Sequence, residues 1–252
     1  MLGLNGVFFA LAVPTVLFAG FSKGGFGGGA AFSATSILAL VLQPEQALAL
    51  MLPMLMMMDI AALGAFWKKW SWPDAKVMIL GSVPGVALGV WLFQVADVDL
   101  LRLMIGVMSI AFVAWQLAKS TGIVRPFANR LPAWAGVLSG IVAGFTSFVS
   151  HAGGPPSAVY LLSQKLTKTQ YQGTTVIVFW VINAAKVIPY AYLGMFTVET
   201  GLANLMLAPV AFAGVWLGVR MHLIVSERLF FGVTYVALCL TGSKLVWDSV
   251  LA

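Results

Sequence analysis

"ALALMLPMLMMM", residues 47–58, is apolar at every position. A strand of a membrane barrel would alternate lipid-facing apolar with lumen-facing polar residues over roughly ten positions. A helix on the surface of a water-soluble protein would keep a polar stripe. The stretch does neither, so it reads as a helix surrounded by lipid or by other apolar helices. The texture continues in both directions: of 252 residues, 61% are hydrophobic and 9% charged, and no polar domain interrupts the apolar runs. Together these features specify an all-α polytopic membrane protein whose solvent is the lipid bilayer.

The composition narrows function as well. A net charge of +6 would suggest nucleic acid for a soluble domain, but in a membrane protein it reports basic cytoplasmic loops, and no basic-aromatic surface segment is present. One cysteine, Cys239, and two histidines leave no thiol cluster and no expected metal site or cofactor. The N-terminal "MLGLNGVFFALAVP" lacks a basic flank and an evident cleavage site. It is expected to be retained as a first helix.

Laid over itself, the chain matches at about half its length. At a shift of 124, Gly20-Phe21-Ser22 falls on Gly144-Phe145-Thr146, Gly29 on Gly153, Gln46 on Gln170 and Asp59 on Asn183. At 125, Pro84 meets Pro209 and "GVWL" at 89–92 meets "GVWL" at 214–217; at 126, Arg102 meets Arg228. A duplicated unit with small loop insertions leaves this signature, giving repeats at 1–125 and 126–252 within one integral membrane domain. Each half reads as five segments: 5–22, 29–42, 46–67, 77–95 and 100–119, then 133–149, 153–166, 171–193, 202–219 and 229–247. An odd number per half inverts the second repeat. Loop charge tests this: "WKKWSWPDAK" holds three basic residues while its equivalent "YLGMFTVETG" holds none, and "QVADVD" is acidic while "VRMHLIVSER" carries Arg220 and Arg228. Equivalent loops swap sign, as opposite sides of a membrane require.

The second segment of each half is too short to cross a hydrocarbon core of about 30 Å. A pair of short helices meeting at a glycine-rich bend, plus three transmembrane helices per repeat, makes eight to ten membrane segments in all. The bends are "SKGGFGGGA", 22–30, and "TSFVSHAGGPP", 146–156. Irregular backbone at membrane depth must be covered by protein or line a cavity. Pro155 and Pro156 suit a first helical turn, so a helix should start beside Gly153 and Gly154 and present free N–H groups to an anion. Two such starts facing each other near the midplane are a recurring device of secondary transporters.

The candidate substrate-binding set is therefore the backbone of Gly28, Gly29, Gly153 and Gly154, the hydroxyls of Ser22, Thr146, Ser147 and Ser150, and Lys23, His151, Asn183 and Lys186. Asp59 and Tyr190 join it at its edge. Ionisable residues inside membrane helices are functional candidates by default. Bland readings stand beside these. The glycines serve close helix packing, Lys23 snorkels to the surface, Lys186 meets a helix C-terminal carbonyl, and Tyr190 belongs to the interfacial aromatic belt.

"GFSKGGFGGG" and "GFTSFVSHAGGPPSAVYLLSQKLTKTQYQGTTVIVFWVINAAKVIPYAYLG" resemble the sulfite exporter TauE/SafE family, also called the 4-toluenesulfonate uptake permease family, over almost the whole chain. Many relatives place a proline soon after the first bend, where Ala31 and Phe32 stand here, which weakens the first helix start relative to the second. The resemblance implies a non-enzymatic transporter of small sulfur-containing anions (sulfite, organosulfonates or sulfoacetate-like compounds) in a bacterial cytoplasmic membrane. No ATP-binding loop is present, so an ion or substrate gradient is the expected energy source, with His151 the candidate proton carrier. A homodimer is the default assembly for a carrier of this size. The alternatives are a channel for the same anions and an intramembrane hydrolase built on Ser147, Ser150 and His151. The hydrolase lacks an orienting carboxylate.

Overall fold

The computed structural model describes residues 5–25, 30–123, 129–221 and 224–251, among which there are helices and connections but no strand. The helices are α1 (Gly6–Gly25), α2 (Ser33–Leu38), α3 (Pro44–Ala65), α4 (Trp72–Val95), α5 (Val98–Ser120), α6 (Ala133–Ser150), α7 (Gly154–Ser163), α8 (Lys168–Tyr192), α9 (Val198–Met221) and α10 (Glu227–Leu251). All except α2 and α7 are long and apolar enough to cross a membrane, eight in total.

Local chemistry accounts for the helix ends. α3 begins with Pro44 and a capping box in which Gln46 reaches back to the backbone of Gln43. At the equivalent place, 124 residues on, Thr167 and Gln170 form the same reciprocal box for α8. The Asp97 side chain caps α5 by accepting from the Leu100 N–H at 2.8 Å. α4 starts at Trp72 with proline in its first turn, so "WPDAK" belongs to the helix rather than to a loop. The two short helices differ. α7 runs for ten residues behind Pro155 and Pro156, whose fixed φ suits a first turn. α2, expected over 29–42, is regular for six residues only, starts at Phe32 with no side-chain cap, and is flanked by single turns. Ala31 and Phe32 supply neither the preset dihedral nor a capping oxygen.

The long helices pair across the repeats. α1 packs along α9 and α4 along α6, which are equivalent pairs, while α5 packs against α10 and α3 against α8, which are equivalents of each other. This arrangement is compatible with two inverted repeats. Contact is backbone to backbone: a Cβ added to Gly85 would lie 2.1 Å from the Ile141 carbonyl, and one added to Gly24 would lie 2.2 Å from that of Val215. Small residues let membrane helices approach this closely and gain dispersion contacts that lipid would not supply. α3 is sunk between its neighbours, with Leu48, Leu50, Met51, Leu52, Met54 and Met58 fully buried. That is why "ALALMLPMLMMM" has no polar face: it turns towards protein.

Candidate functional site

α1, α3, α5 and α9 finish at the end of the molecule where α4, α6, α8 and α10 begin. Lys68, Lys69, Lys76, Lys119, Arg130, Lys165, Lys168 and Arg220 all lie towards this end. A cavity of about 760 Å³ lies among the helices towards this end. Lys119, Gln116, Lys168, Gln172, Lys23, Asp59, Asn183, Ser147, His151 and Gly154 are among the residues that line it.

Within the lining, Asp59 on α3 and Asn183 on α8, the two positions related by the shift of 124, meet directly. Asn183 Nδ2 donates to Asp59 Oδ2 at 3.0 Å. Lys23, in the last turn of α1, forms an ion pair with Asp59 Oδ1 and sits 6.0 Å from the Phe179 ring centroid. The lysine therefore turns inward rather than snorkelling. Its carboxylate partner is fully buried, and the lysine side chain is 9% exposed. A buried ion pair of this kind must satisfy its remaining hydrogen-bonding capacity, and Asn183 does so for the second carboxylate oxygen.

A second buried lysine stands behind the cavity wall. Lys186, one turn beyond Asn183 and fully buried, has its Nζ 2.9 Å from both the carbonyl and the hydroxyl oxygen of Ser147 and 2.8 Å from His151 Nδ1. His151 Nε2 lies 3.2 Å from the Leu48 carbonyl. Because that carbonyl can only accept, Nε2 carries the hydrogen and Nδ1 is left to face Lys186. His151 also ends α6 in the left-handed conformation, with φ 57°. A non-glycine residue there costs about 1 kcal/mol or more. The ring's two tethers, to α8 and α3, hold it in place.

Beyond Lys186 on α8 stands an aromatic cluster. Tyr190 donates its hydroxyl to the Phe148 carbonyl at 2.6 Å. The Phe148 ring stands edge-on to Tyr190 at 4.9 Å and to Phe93 at 5.4 Å, and Phe196 lies 6.2 Å from Tyr190. Tyr190 and Phe148 are fully buried, so Tyr190 packs inside the protein and is not a member of an interfacial belt.

Of the residues named from sequence, the structure thus brings Lys23, Asp59, Ser147, His151, Gly154 and Asn183 to the cavity, with Lys186 one contact behind. The Lys186 bond to the Ser147 carbonyl is the helix-end contact of the bland reading, here combined with the cavity-lining hydroxyl and imidazole. Gly153 packs beneath the bend against Phe179 and Ala143. The Thr146 hydroxyl donates to the Val142 carbonyl. The Ser150 hydroxyl is 3.1 Å from the Thr146 carbonyl and 3.0 Å from Met108 Sδ, and it does not meet His151. The Ser22 hydroxyl is buried with no hydrogen-bond partner among the described residues. Gly28 and Gly29 lie outside the described residues. Among the described residues no cluster of His, Cys, Asp or Glu could hold a metal. The lining also includes Phe179, Gln172, Lys119 and Lys168, which sequence reading missed. The two lysines registered there only as markers of sidedness, while Phe179, one turn before Asn183 on the same helix face, could have been found from helical spacing.

The family model described as Sulfite exporter TauE/SafE matches residues 12–245 of the chain. No curated protein and no solved structure matches it.

Proposed function

The chain belongs to the Sulfite exporter TauE/SafE family of membrane transport proteins, and from that premise we propose that it is a secondary carrier of small sulfur-containing anions such as sulfite, organosulfonates or sulfoacetate. The observation that carries the reading is a pair of lysines within the helix bundle: Lys23, which lines the cavity beside the Asp59–Asn183 contact, and the fully buried Lys186 one contact behind its wall. Cations this deep in a membrane protein cost free energy that a soluble anion in the cavity would offset. Lys23 is the direct ligand. Lys186 acts through Ser147, whose hydroxyl it meets and which lines the cavity. The first turn of α7 adds the Gly154 backbone and a favourable dipole.

On the sidedness given by the basic loops, the cavity faces the cytoplasm and the Tyr190 cluster faces outward. Transport then alternates this state with one in which the outer side opens and the inner side closes around the same site. A proton gradient is the proposed energy source, and a bacterial cytoplasmic membrane, with two copies of the chain associated in it, is the proposed setting.

The test is a thermal-shift screen of purified protein against sulfite, sulfate, sulfoacetate, taurine and simple carboxylates, followed by flux in proteoliposomes. A ligand that binds only the folded state raises its apparent stability. A sulfur oxyanion is expected to give the largest rise and a saturable flux. Retention of both by Lys23→Ala/Lys186→Ala would sink the site assignment, and flux that does not saturate would identify a channel instead.

A further inference from the structure

Resting on the carrier reading, we propose that Asp59 is the proton-carrying residue of this protein, and that each anion bound at Lys23 enters with a proton on Asp59 Oδ1.

The ion pair is the starting point. Lys23 is held by the Asp59 carboxylate, so the position an anion would occupy against the ammonium is filled by an anionic group of the protein. If an anion displaced Asp59 while it stayed ionised, one lysine would face two negative charges, one of them on a fully buried carboxylate without its counter-ion. Such an arrangement is strongly disfavoured at low dielectric. A proton on Oδ1 removes the conflict. It neutralises the carboxylate, releases Lys23 to the ligand, and converts an acceptor that repels the anion into an O–H donor that binds it. Oδ2 stays where it is, accepting from Asn183. The change therefore falls on the one oxygen that faces Lys23. The proton comes from water on the side from which the anion enters and leaves to water on the other side.

Position supports the same residue. Asp59 contacts its own sequence equivalent, so it sits where the two repeats meet. A group there keeps its place when the repeats exchange roles, and it can be loaded from one side and unloaded to the other. His151 is less suited, because both of its ring nitrogens are already engaged, by Lys186 and by the Leu48 carbonyl.

The groups around Asp59 are few. Lys23 faces it from α1, and Asn183 and Lys186 from α8. α2 carries no titratable side chain. Those of α5 (Asp99, Arg102, Lys119) and α9 (Glu199, Arg220) lie in or beside the end turns of their helices. Of these, Lys119 lines the cavity, with Lys168 and Tyr171 of α8. Among the described residues no other carboxylate lines the cavity.

Proton and anion binding are then reciprocal. Purified protein in a weakly buffered solution with a pH-sensitive dye would be titrated with sulfoacetate near neutral pH, where both of that probe's acidic groups are already ionised. Uptake of about one proton per bound anion is expected, with an apparent Kd that weakens about tenfold per pH unit as pH rises. Asp59→Asn should bind sulfoacetate, because Lys23 is freed, but with no proton uptake and a flat pH dependence. Wild-type binding without proton uptake overturns the proposal even if Asp59→Asn fails to fold. So does uptake that persists in Asp59→Asn. Absence of binding by any sulfur oxyanion instead overturns the carrier reading on which it rests.

Discussion

Lys23 shows what one side chain contributes and what a sequence can say of it. Its carboxylate partner is fully buried, so removing the lysine strands a charge, whereas removing both members leaves neutral groups. Breaking one partner of a buried pair costs about 3–5 kcal/mol, and the low end applies because the cavity runs alongside. Lys23→Ala should therefore lower the melting temperature of purified protein sharply, and Lys23→Ala/Asp59→Asn should recover most of the loss. Equal destabilisation in the single and double variants would mean that Lys23 acts through packing and not charge. The sequence placed Lys23 inside the apolar pattern but left two directions open for it, because its partner is 36 residues away on another helix. Only the crossing of α1 and α3 selects one. Asp59 and Asn183 were easier, since the internal repeat had already paired them. Hydroxyls were hardest: Ser22, Ser147 and Ser150 lie within three turns or less of a bend in similar sequence, yet only Ser147 reaches the cavity, and helical phase near a bend decides which.

At the scale of elements, the equivalent pairs α1·α9 and α4·α6 depend on backbone contact through glycine. In Gly85→Ala the new methyl would meet the Ile141 carbonyl at 2.1 Å. Backbone cannot step aside as a side chain can, so the helices must part at a cost of about 1–3 kcal/mol or more. Gly64→Ala, in the last turn of α3 with nothing within 4 Å of its added Cβ, should instead be neutral or stabilising by about 0.5–1 kcal/mol. Size-exclusion profiles and thermal melts of the two variants would separate them. Equal behaviour would show that the close crossings do not carry the fold. The eight long helices were legible because lipid permits little else. Their ends drifted by several residues where proline or tryptophan, read as loop residues, proved to be first-turn residues, as in α4. The shortness of α2 was half legible: the missing proline pair warned of a weak start, but the length of the surviving helix depends on what packs around it.

For the whole molecule, the aromatic contacts beyond Lys186 on α8 are of definite size. Three aromatic pairs join Phe93, Phe148, Tyr190 and Phe196, and such pairs contribute about 0.5–1.5 kcal/mol each. Their sum, about 1.5–4.5 kcal/mol, is of the order that keeps an alternative conformation scarce but reachable. On the proposed carrier reading, anion binding need only offset that much for turnover. The state can be read with cysteines. Cys239 lies exposed on α10 and can be replaced by alanine. In that background, Thr175→Cys in the cavity should react with a membrane-impermeant maleimide in inverted vesicles and not from outside cells. Leu52→Cys, fully buried within the apolar cluster that also holds Phe148 and Tyr190, should react from neither side. Sulfoacetate at ten times its Kd should slow Thr175→Cys labelling about tenfold if occupied protein is protected, by mass action. Adding Tyr190→Ala removes two of the three ring pairs and the hydroxyl bond to Phe148, and should make Leu52→Cys reactive from outside. Labelling of Thr175→Cys from the outer face in ligand-free protein would reverse the assigned sidedness. An unreactive Leu52→Cys in the Tyr190→Ala background would show that the aromatic cluster is packing and not a gate.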